Sequence, residues 1–309
     1  HAPGHQREHG ERGADAGDAP GEIRVFHNVC RHRAGPIAQC DGLRAKSLRC
    51  RYHGWNYGLD GVLKSAPEMG DAQDFDPAGV RLPQLAVQVW QGLVFAAVDP
   101  ARAPAFADFV AGIDARLGPD RGLHRYGGHH RASYDIACNW KVYVDNYLEG
   151  YHVPHVHPGL NRLLDYRSYR TELERWHSLQ WSPLESDASL YGNGDALYYW
   201  LWPNTMLNIL PGRMQTNTVI PLGVDRCRVL FDSYYAPDDS DAGQARRDAD
   251  LSFSDEVQHE DLGICEDVQR GFASGSYVPG RLNPLRESGV HHFHEMLRAA
   301  YRPASSDDA

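Results

Sequence analysis

Two short loops, Cys30-Arg31-His32 and Cys50-Arg51-Tyr52-His53, constrain the fold of this chain more than any other feature. Each offers one thiolate and one imidazole, and seventeen residues separate them. Around them run short β-like segments, Ile23 to Phe26, Leu48 to Cys50, Trp55 to Tyr57 and Val62-Leu63, and the Asp60-Gly61 pair between two of them is a hairpin signal. Set side by side in that frame, the loops bring two sulfurs and two nitrogens to one point. Three readings fit. A structural Cys2His2 zinc site takes these ligands, although zinc fingers usually carry paired Cys, then paired His, with a helix. A [2Fe–2S] cluster of mixed ligation wants two Cys on one iron and two His on the other. Unrelated core residues leave the mirrored loops unexplained. Cys40, between the loops, has no place in the pattern and is expected to be structural or exposed.

The rest of the composition is that of a soluble globular protein: 309 residues, 42% hydrophobic and 23% charged, enough for two medium domains. A formal charge of −10 argues against a nucleic-acid or anionic-membrane surface, since both need a basic patch. No apolar run approaches the roughly 20 residues of a membrane span, so the chain is read as cytoplasmic. Six scattered cysteines do not make a disulfide scaffold and suit a reducing compartment. Residues 1–20 lack apolar periodicity and are expected to be a disordered tail or a fragment edge, with 301–309 a flexible tail.

A second dense stretch runs from Asn139 to Pro158. It packs Asp145, Asn146, Glu149, His152, His155 and His157 among aromatic and apolar residues. Helix-like spacing up to Tyr151 puts Asp145, Glu149 and His152 on one side. Pro154 is expected to stop or kink that helix, so that His157 approaches from the following turn. Two imidazoles then converge with a coordination face left open, and spacing alone leaves His155 competing with His157. Beyond it, alternating segments from Tyr198 to Tyr235 read as antiparallel strands, and an acid-rich amphipathic helix covers Glu260 to Gln269.

Phe26-His27-Asn28-Val29-Cys30-Arg31-His32-Arg33 and Tyr52-His53-Gly54-Trp55-Asn56-Tyr57-Gly58-Leu59-Asp60-Gly61 closely resemble the Rieske domain of the ring-hydroxylating, non-haem iron oxygenases. The second stretch is similar to the same family: Asn-Trp-Lys, an Asp-Asn pair, an acid three before the first His and a second His five later. The resemblance implies an α+β protein with an all-β Rieske domain over 21–104 and a helix-grip-like catalytic domain over 105–300, a curved antiparallel sheet around a helix. In the family further strands precede the equivalent of Gly21; here only the unpatterned tail does.

It also implies two metal centres. Cys30, His32, Cys50 and His53 hold the cluster; neutral imidazole in place of thiolate raises its potential. His152 and His157 hold a mononuclear Fe(II) with a carboxylate from the later helix, which the family pattern assigns to Asp261, ahead of Asp255, Glu256, Glu260 and Asp267. Such a triad leaves positions open for O2. Glu149 matches the acid that bridges a cluster histidine of a neighbouring subunit to an iron-bound histidine, and Asp145 is expected to support the site from behind. The implied activity is that of an oxygenase catalytic subunit using O2 and electrons from a separate reductase or ferredoxin, with NAD(P)H acting only through it, in a head-to-tail homotrimer. Glu rather than Asp at 149 resembles the choline, glycine-betaine and carnitine monooxygenases, whence hydroxylation or N-demethylation of a quaternary ammonium compound. Aromatic ring dioxygenation and, from another class, a Rieske electron carrier without oxygen chemistry are the alternatives. Trp181, Tyr198, Tyr199, Trp200 and Trp202 are candidates for an aromatic cage, against a default role in the core.

Overall fold

The computed structural model describes residues 21–40, 42, 45–118, 122–184 and 190–302; the expectations for 1–20 and for 303–309 lie outside them. The chain divides into two compact units, residues 1–89 with 94–103, and residues 90–93 with 104–309.

Among the described residues, the stretch 25–97 carries two three-stranded sheets. One has the order β1-β5-β6, from Val25–Phe26, Gln84–Trp90 and Leu93–Ala97. The other has the order β2-β3-β4, from Leu48–Arg49, Asn56–Tyr57 and Leu63–Ser65. The Asp60-Gly61 hairpin forms between β3 and β4, with Gly61 at φ +78°. Its Cα lies against Phe26, whose Cε1 would stand 2.6 Å from an added Cβ, so glycine is required on both counts. Trp55, Tyr57, Leu63 and Leu82 are buried around Cys30 and Cys50 and form the core under the two loops.

The second unit is built on a seven-stranded antiparallel sheet of order β7-β13-β12-β11-β10-β9-β8. Its strands are β7 Gly127–Ile136, β8 Arg170–Leu173, β9 His177–Pro183, β10 Asp195–Leu201, β11 Thr205–Leu210, β12 Arg213–Pro221 and β13 Cys227–Tyr235. The stretch from Phe106 to Leu117 is two short helices, α1 Phe106–Phe109 and α2 Ile113–Leu117, because Gly112 between them takes φ +78°. The sheet packs against α3 (Trp140–Tyr147) and the long α6 (Asp241–Ala273), and the aromatic core around Trp200 and Phe293 includes α7 (Ser288–Tyr301).

The dense stretch does not stay helical to Tyr151. Asn139 caps α3 by accepting from Lys141 N–H, and the helix ends at Tyr147. Two features stop it. Gly150 admits the Tyr169 ring so closely that an added Cβ would lie 2.5 Å from its Cε1. The Glu149 carboxylate takes the N–H groups of Tyr151 and His152, which replaces the helical pattern with a side-chain cap. Nor does Pro154 act as a stop. It sits in the first turn of α4 (Val153–Val156), where a missing N–H costs nothing, and α5 (Pro158–Leu163) follows directly after His157. Asp145 therefore does not share a helix face with Glu149 and His152.

Candidate metal centres

In the first unit the two loops are built alike. Cys30 N–H donates to Gly35 O (2.8 Å) and Cys30 O accepts from Ala34 N–H (3.0 Å); Cys50 N–H donates to Trp55 O (2.9 Å) and Cys50 O accepts from Gly54 N–H (3.0 Å). Ala34 and Gly54, at matching places, both adopt positive φ, +57° and +74°. This repeated turn carries each histidine out beside its cysteine. The cysteines are buried and unpaired, and the His32 and His53 rings meet edge to face with centroids 4.5 Å apart. His32 stacks on Trp55 at 4.8 Å, and its buried Nδ1 has no hydrogen-bond partner among the described residues. A buried imidazole nitrogen without a partner beside two buried thiols suits a metal cluster and leaves a purely structural reading with an unmet cost. Tyr57 accepts from Arg31 N–H (3.1 Å) and lies with its hydroxyl 3.2 Å from Cys30 Sγ, to which it donates when that sulfur is a ligating thiolate with no hydrogen of its own. Cys40 is exposed, as expected.

In the second unit His152, at the start of α4, His157, at its end, and Asp261, in the middle of α6, come together: one ligand atom from each lies within 4.8 Å of the others. His157 Nε2 is 3.0 Å and His152 Nε2 3.9 Å from Asp261 Oδ1. Behind the rings, Glu149 Oε1 holds His152 Nδ1 at 2.6 Å and Glu260 Oε2 holds His157 Nδ1 at 2.7 Å. A carboxylate at each Nδ1 fixes the tautomer with its hydrogen there and turns both Nε2 lone pairs towards Asp261. Asn146 donates to Asp261 Oδ1 at 2.6 Å and fixes the third member. Burial alone would lower the pKa of His157, yet Asp261 and Glu260 hold it above the ordinary value. Carboxylates that favour a cation on that ring equally favour a divalent ion against it. Two imidazoles and one carboxylate on one side match the donor set of a non-haem Fe(II) site with open positions.

Several expected residues sit elsewhere. Asp145 faces α7 and is bonded to His294 Nε2 at 3.0 Å, away from the triad. Burial raises its pKa although His294 and Lys141 oppose the rise. His155 is not part of the converging group. Glu260, read from sequence only as a weaker rival to Asp261, orients His157.

The triad opens into a cavity of about 120 Å³. Its aromatic lining is Tyr143, Tyr147, Tyr169, Tyr191 and Tyr198, with Phe231 and Phe253. Of the five candidate cage residues only Tyr198 lines it. Trp200 shares that strand face but packs on Phe293 (5.3 Å), Tyr199 points the other way towards His177 (5.9 Å), Trp202 packs in the core, and Trp181 is covered by the Arg170 guanidinium (4.1 Å). No sequence signal marked Tyr169 and Tyr191, which lie between elements. Burial pushes the Tyr198 phenol up to about 12 and those of Tyr147 and Tyr169 well above their usual value, so the wall is uncharged at neutral pH.

Both stretches of chain that carry these residues match known protein families. Residues 14–84 match the family model of the Rieske [2Fe-2S] domain, and residues 123–181 and 168–302 match that of the ring hydroxylating alpha subunit, catalytic domain. The chain is 38% identical to the choline monooxygenase, chloroplastic, of Arabidopsis thaliana, over 91% of this chain and 69% of that one. It is 34% identical to the Beta vulgaris enzyme of the same name, over 90% of this chain but 63% of the relative, less than two thirds of its length. It is 29% identical to the carnitine monooxygenase oxygenase subunit of Escherichia coli K12, over 91% of this chain and 78% of that one. Among solved structures, a quaternary ammonium Rieske monooxygenase superposes with a TM-score of 0.79 at 26% identity, covering 90% of this chain and 79% of the other.

Proposed function

The chain belongs to the Rieske-type, ring-hydroxylating oxygenase family, with one [2Fe–2S] cluster and one mononuclear iron, and we propose that it oxidises a quaternary ammonium compound by hydroxylation or N-demethylation. The observation that carries the reading is the His152/His157/Asp261 group opening onto a cavity lined by five uncharged tyrosines. Tyrosine faces attract a trimethylammonium group without needing a carboxylate partner, which would compete with the metal. A bare electron carrier has no use for such a cavity.

In this reading Cys30, His32, Cys50 and His53 hold the cluster, and His152, His157 and Asp261 hold the iron. When bound, the cluster supplies single electrons and the iron activates O2 at its open positions. Glu149 holds His152 by Nδ1 through Oε1, its Oε2 being taken by the amides of Tyr151 and His152, and in this reading the carboxylate relays an electron from a neighbouring subunit's cluster histidine. That role requires a head-to-tail homotrimer and a reductase or ferredoxin to feed it. The exposed Arg31, Arg33 and Arg51 around the cluster loops give an acidic partner surface something to meet. No helix among the described residues is long and apolar enough to cross a membrane. Two thiolate ligands suit a reducing compartment such as the cytoplasm.

The test is a substrate-depletion screen over choline, betaines, carnitine and simple aromatic acids with a surrogate reductase. Reductant-dependent loss of a trimethylammonium compound is expected; turnover of aromatic acids alone overturns the substrate class. In the same assay Glu149→Gln should keep both metals and a reducible cluster while losing product. Normal turnover by that variant would refute the bridge.

A further inference from the structure

Beside the tyrosines, two polar ladders meet at the cavity, all of their members but Asp250 lining it. Arg213, Gln215 and Asn217 alternate along one face of β12, and Asp250, Ser254 and Gln258 recur at four-residue steps along α6, one turn short of Asp261. The ladders are joined at one end. Arg213 Nε donates to Asp250 Oδ2 at 2.9 Å, its Nη2 donates to Ser254 Oγ at 3.2 Å, and Gln215 Nε2 donates to the same Oγ at 2.9 Å. Asp250 is fully occupied: besides Arg213 it accepts from the hydroxyls of Tyr191 and Tyr235.

The ladders are not completed by the protein itself. Arg213 is 5% exposed and lines the cavity, yet among the hydrogen bonds of the described residues none comes from Nη1. A guanidinium has five donors, and a buried one keeps its charge. Further along, towards Asp261, Asn217 Oδ1 and Gln258 Nε2 are buried, line the same cavity and have no partner among the described residues. Buried polar atoms of this kind are costly unless something else meets them. A wholly apolar tail would leave the donors Arg213 Nη1 and Gln258 Nε2 without an acceptor.

The geometry points to Arg213 as the specificity-determining residue of this cavity, selecting zwitterionic quaternary ammonium substrates, whose carboxylate meets Nη1, over choline, whose tail is an uncharged hydroxyl. The inference rests on the quaternary ammonium reading. The helix places the two ends in order: Asp250 lies eleven residues, about 16 Å, before Asp261 along α6, so Arg213, bonded to Asp250, stands at the end of the cavity away from the triad. A molecule with its ammonium among the tyrosines and its methyl groups towards the triad has its tail at Arg213. Because Asp250 and Ser254 fix the guanidinium from behind, binding needs no rearrangement of that side chain.

Isothermal titration of the holoprotein, without reductant, tests this with choline, tetramethylammonium and three zwitterions of increasing tail length, glycine betaine, carnitine and γ-butyrobetaine. The best zwitterion is expected to bind about 10- to 100-fold tighter than choline, the range of one charge-assisted hydrogen bond. Arg213→Gln should abolish that ratio by weakening the zwitterion while choline stays within about threefold. Should the single variant fail to fold with Asp250 unpaired, Arg213→Gln/Asp250→Asn takes its place and must lose the same ratio. Equal binding of choline and every zwitterion, or a ratio unchanged by the substitution, overturns the role of Arg213 while leaving the substrate class standing. If no trimethylammonium compound binds at all, both fall.

Discussion

Glu260 Oε2 stands 2.7 Å from Nδ1 of His157, while Nε2 of the same ring faces Asp261 at 3.0 Å. Two consecutive acids on α6 thus hold opposite sides of one imidazole, one orienting it and one sharing its task. The pairing explains why a buried histidine, 1% exposed, can be held in a single orientation before any metal arrives. Glu260→Ala should weaken Fe(II) or Co(II) binding at this centre by about 10- to 100-fold, as loss of an orienting partner does. Glu260→Gln, which can still accept from Nδ1–H, should recover most of it. Metal titration read beside the cluster's visible spectrum checks both, and the spectrum should not change.

Tyr57 tests the first centre in the same way. Its hydroxyl lies 3.2 Å from Cys30 Sγ as a donor, and a hydrogen bond to a ligand sulfur stabilises the more negative, reduced cluster. Tyr57→Phe removes the donor and keeps the ring that fills the core. The reduction potential should fall by roughly 40 mV, the one-electron equivalent of about 1 kcal/mol. Redox titration followed by EPR measures it, and an unchanged potential would mean that the hydroxyl serves only the Arg31 amide.

How much of this was legible in sequence follows from how local each feature is. The cluster loops declare themselves because each thiolate and imidazole lie within one turn, and the hairpin at Asp60-Gly61 because only the turn matters. His152 and His157 are likewise close in sequence. Asp261 was legible only through family resemblance: α6 offers Asp255, Glu256, Glu260, Asp261, Glu266 and Asp267, and docking against α3 decides which reaches the histidines. The end of α3 was misread because spacing cannot see Glu149 capping the amides of Tyr151 and His152, nor Tyr169 crossing at Gly150. Asp145 went to His294, about 150 residues away, by the same kind of long-range contact. The cavity was least legible, since Tyr169 and Tyr191 carry no pattern and the tryptophans of β10 and its following turn serve the core.

The mirrored loops differ at one informative place. Ala34 takes φ +57° where its counterpart Gly54 takes φ +74°. A Cβ is unfavourable in this region, so Ala34→Gly should stabilise the folded first unit slightly or leave it unchanged, the strain relieved being offset by the flexibility gained in the unfolded chain. Gly54→Ala should cost about 1 kcal/mol, as the new Cβ also comes within 3.3 Å of the Arg49 guanidinium. Urea unfolding of the two variants, followed through loss of cluster absorbance, should rank them in that order.

The last prediction concerns pH and lies away from both centres. Asp232 on β13 accepts two bonds from Arg131, at 2.7 and 2.9 Å, and lies 2.6 Å from His129 Nε2. Burial raises its carboxyl pKa, but Arg131 and His129 outweigh burial and hold it below the ordinary value. A pKa lower in the folded than in the unfolded chain means the unfolded chain binds protons first as pH falls. The stabilisation is therefore fully present above the unfolded carboxylate value of about 3.9 and is lost as pH drops through the lower, folded value. Asp232→Asn should cost about 1–2 kcal/mol at pH 7, the scale of a charged, two-fold hydrogen bond. The difference in unfolding free energy between the two proteins should hold from pH 7 to about 4 as far as this carboxylate is concerned, then shrink on further acidification. Denaturant unfolding across that range measures it, and comparing the two proteins at each pH cancels any acid lability common to both. A difference that widened below pH 4 would place the stabilising charge on another group.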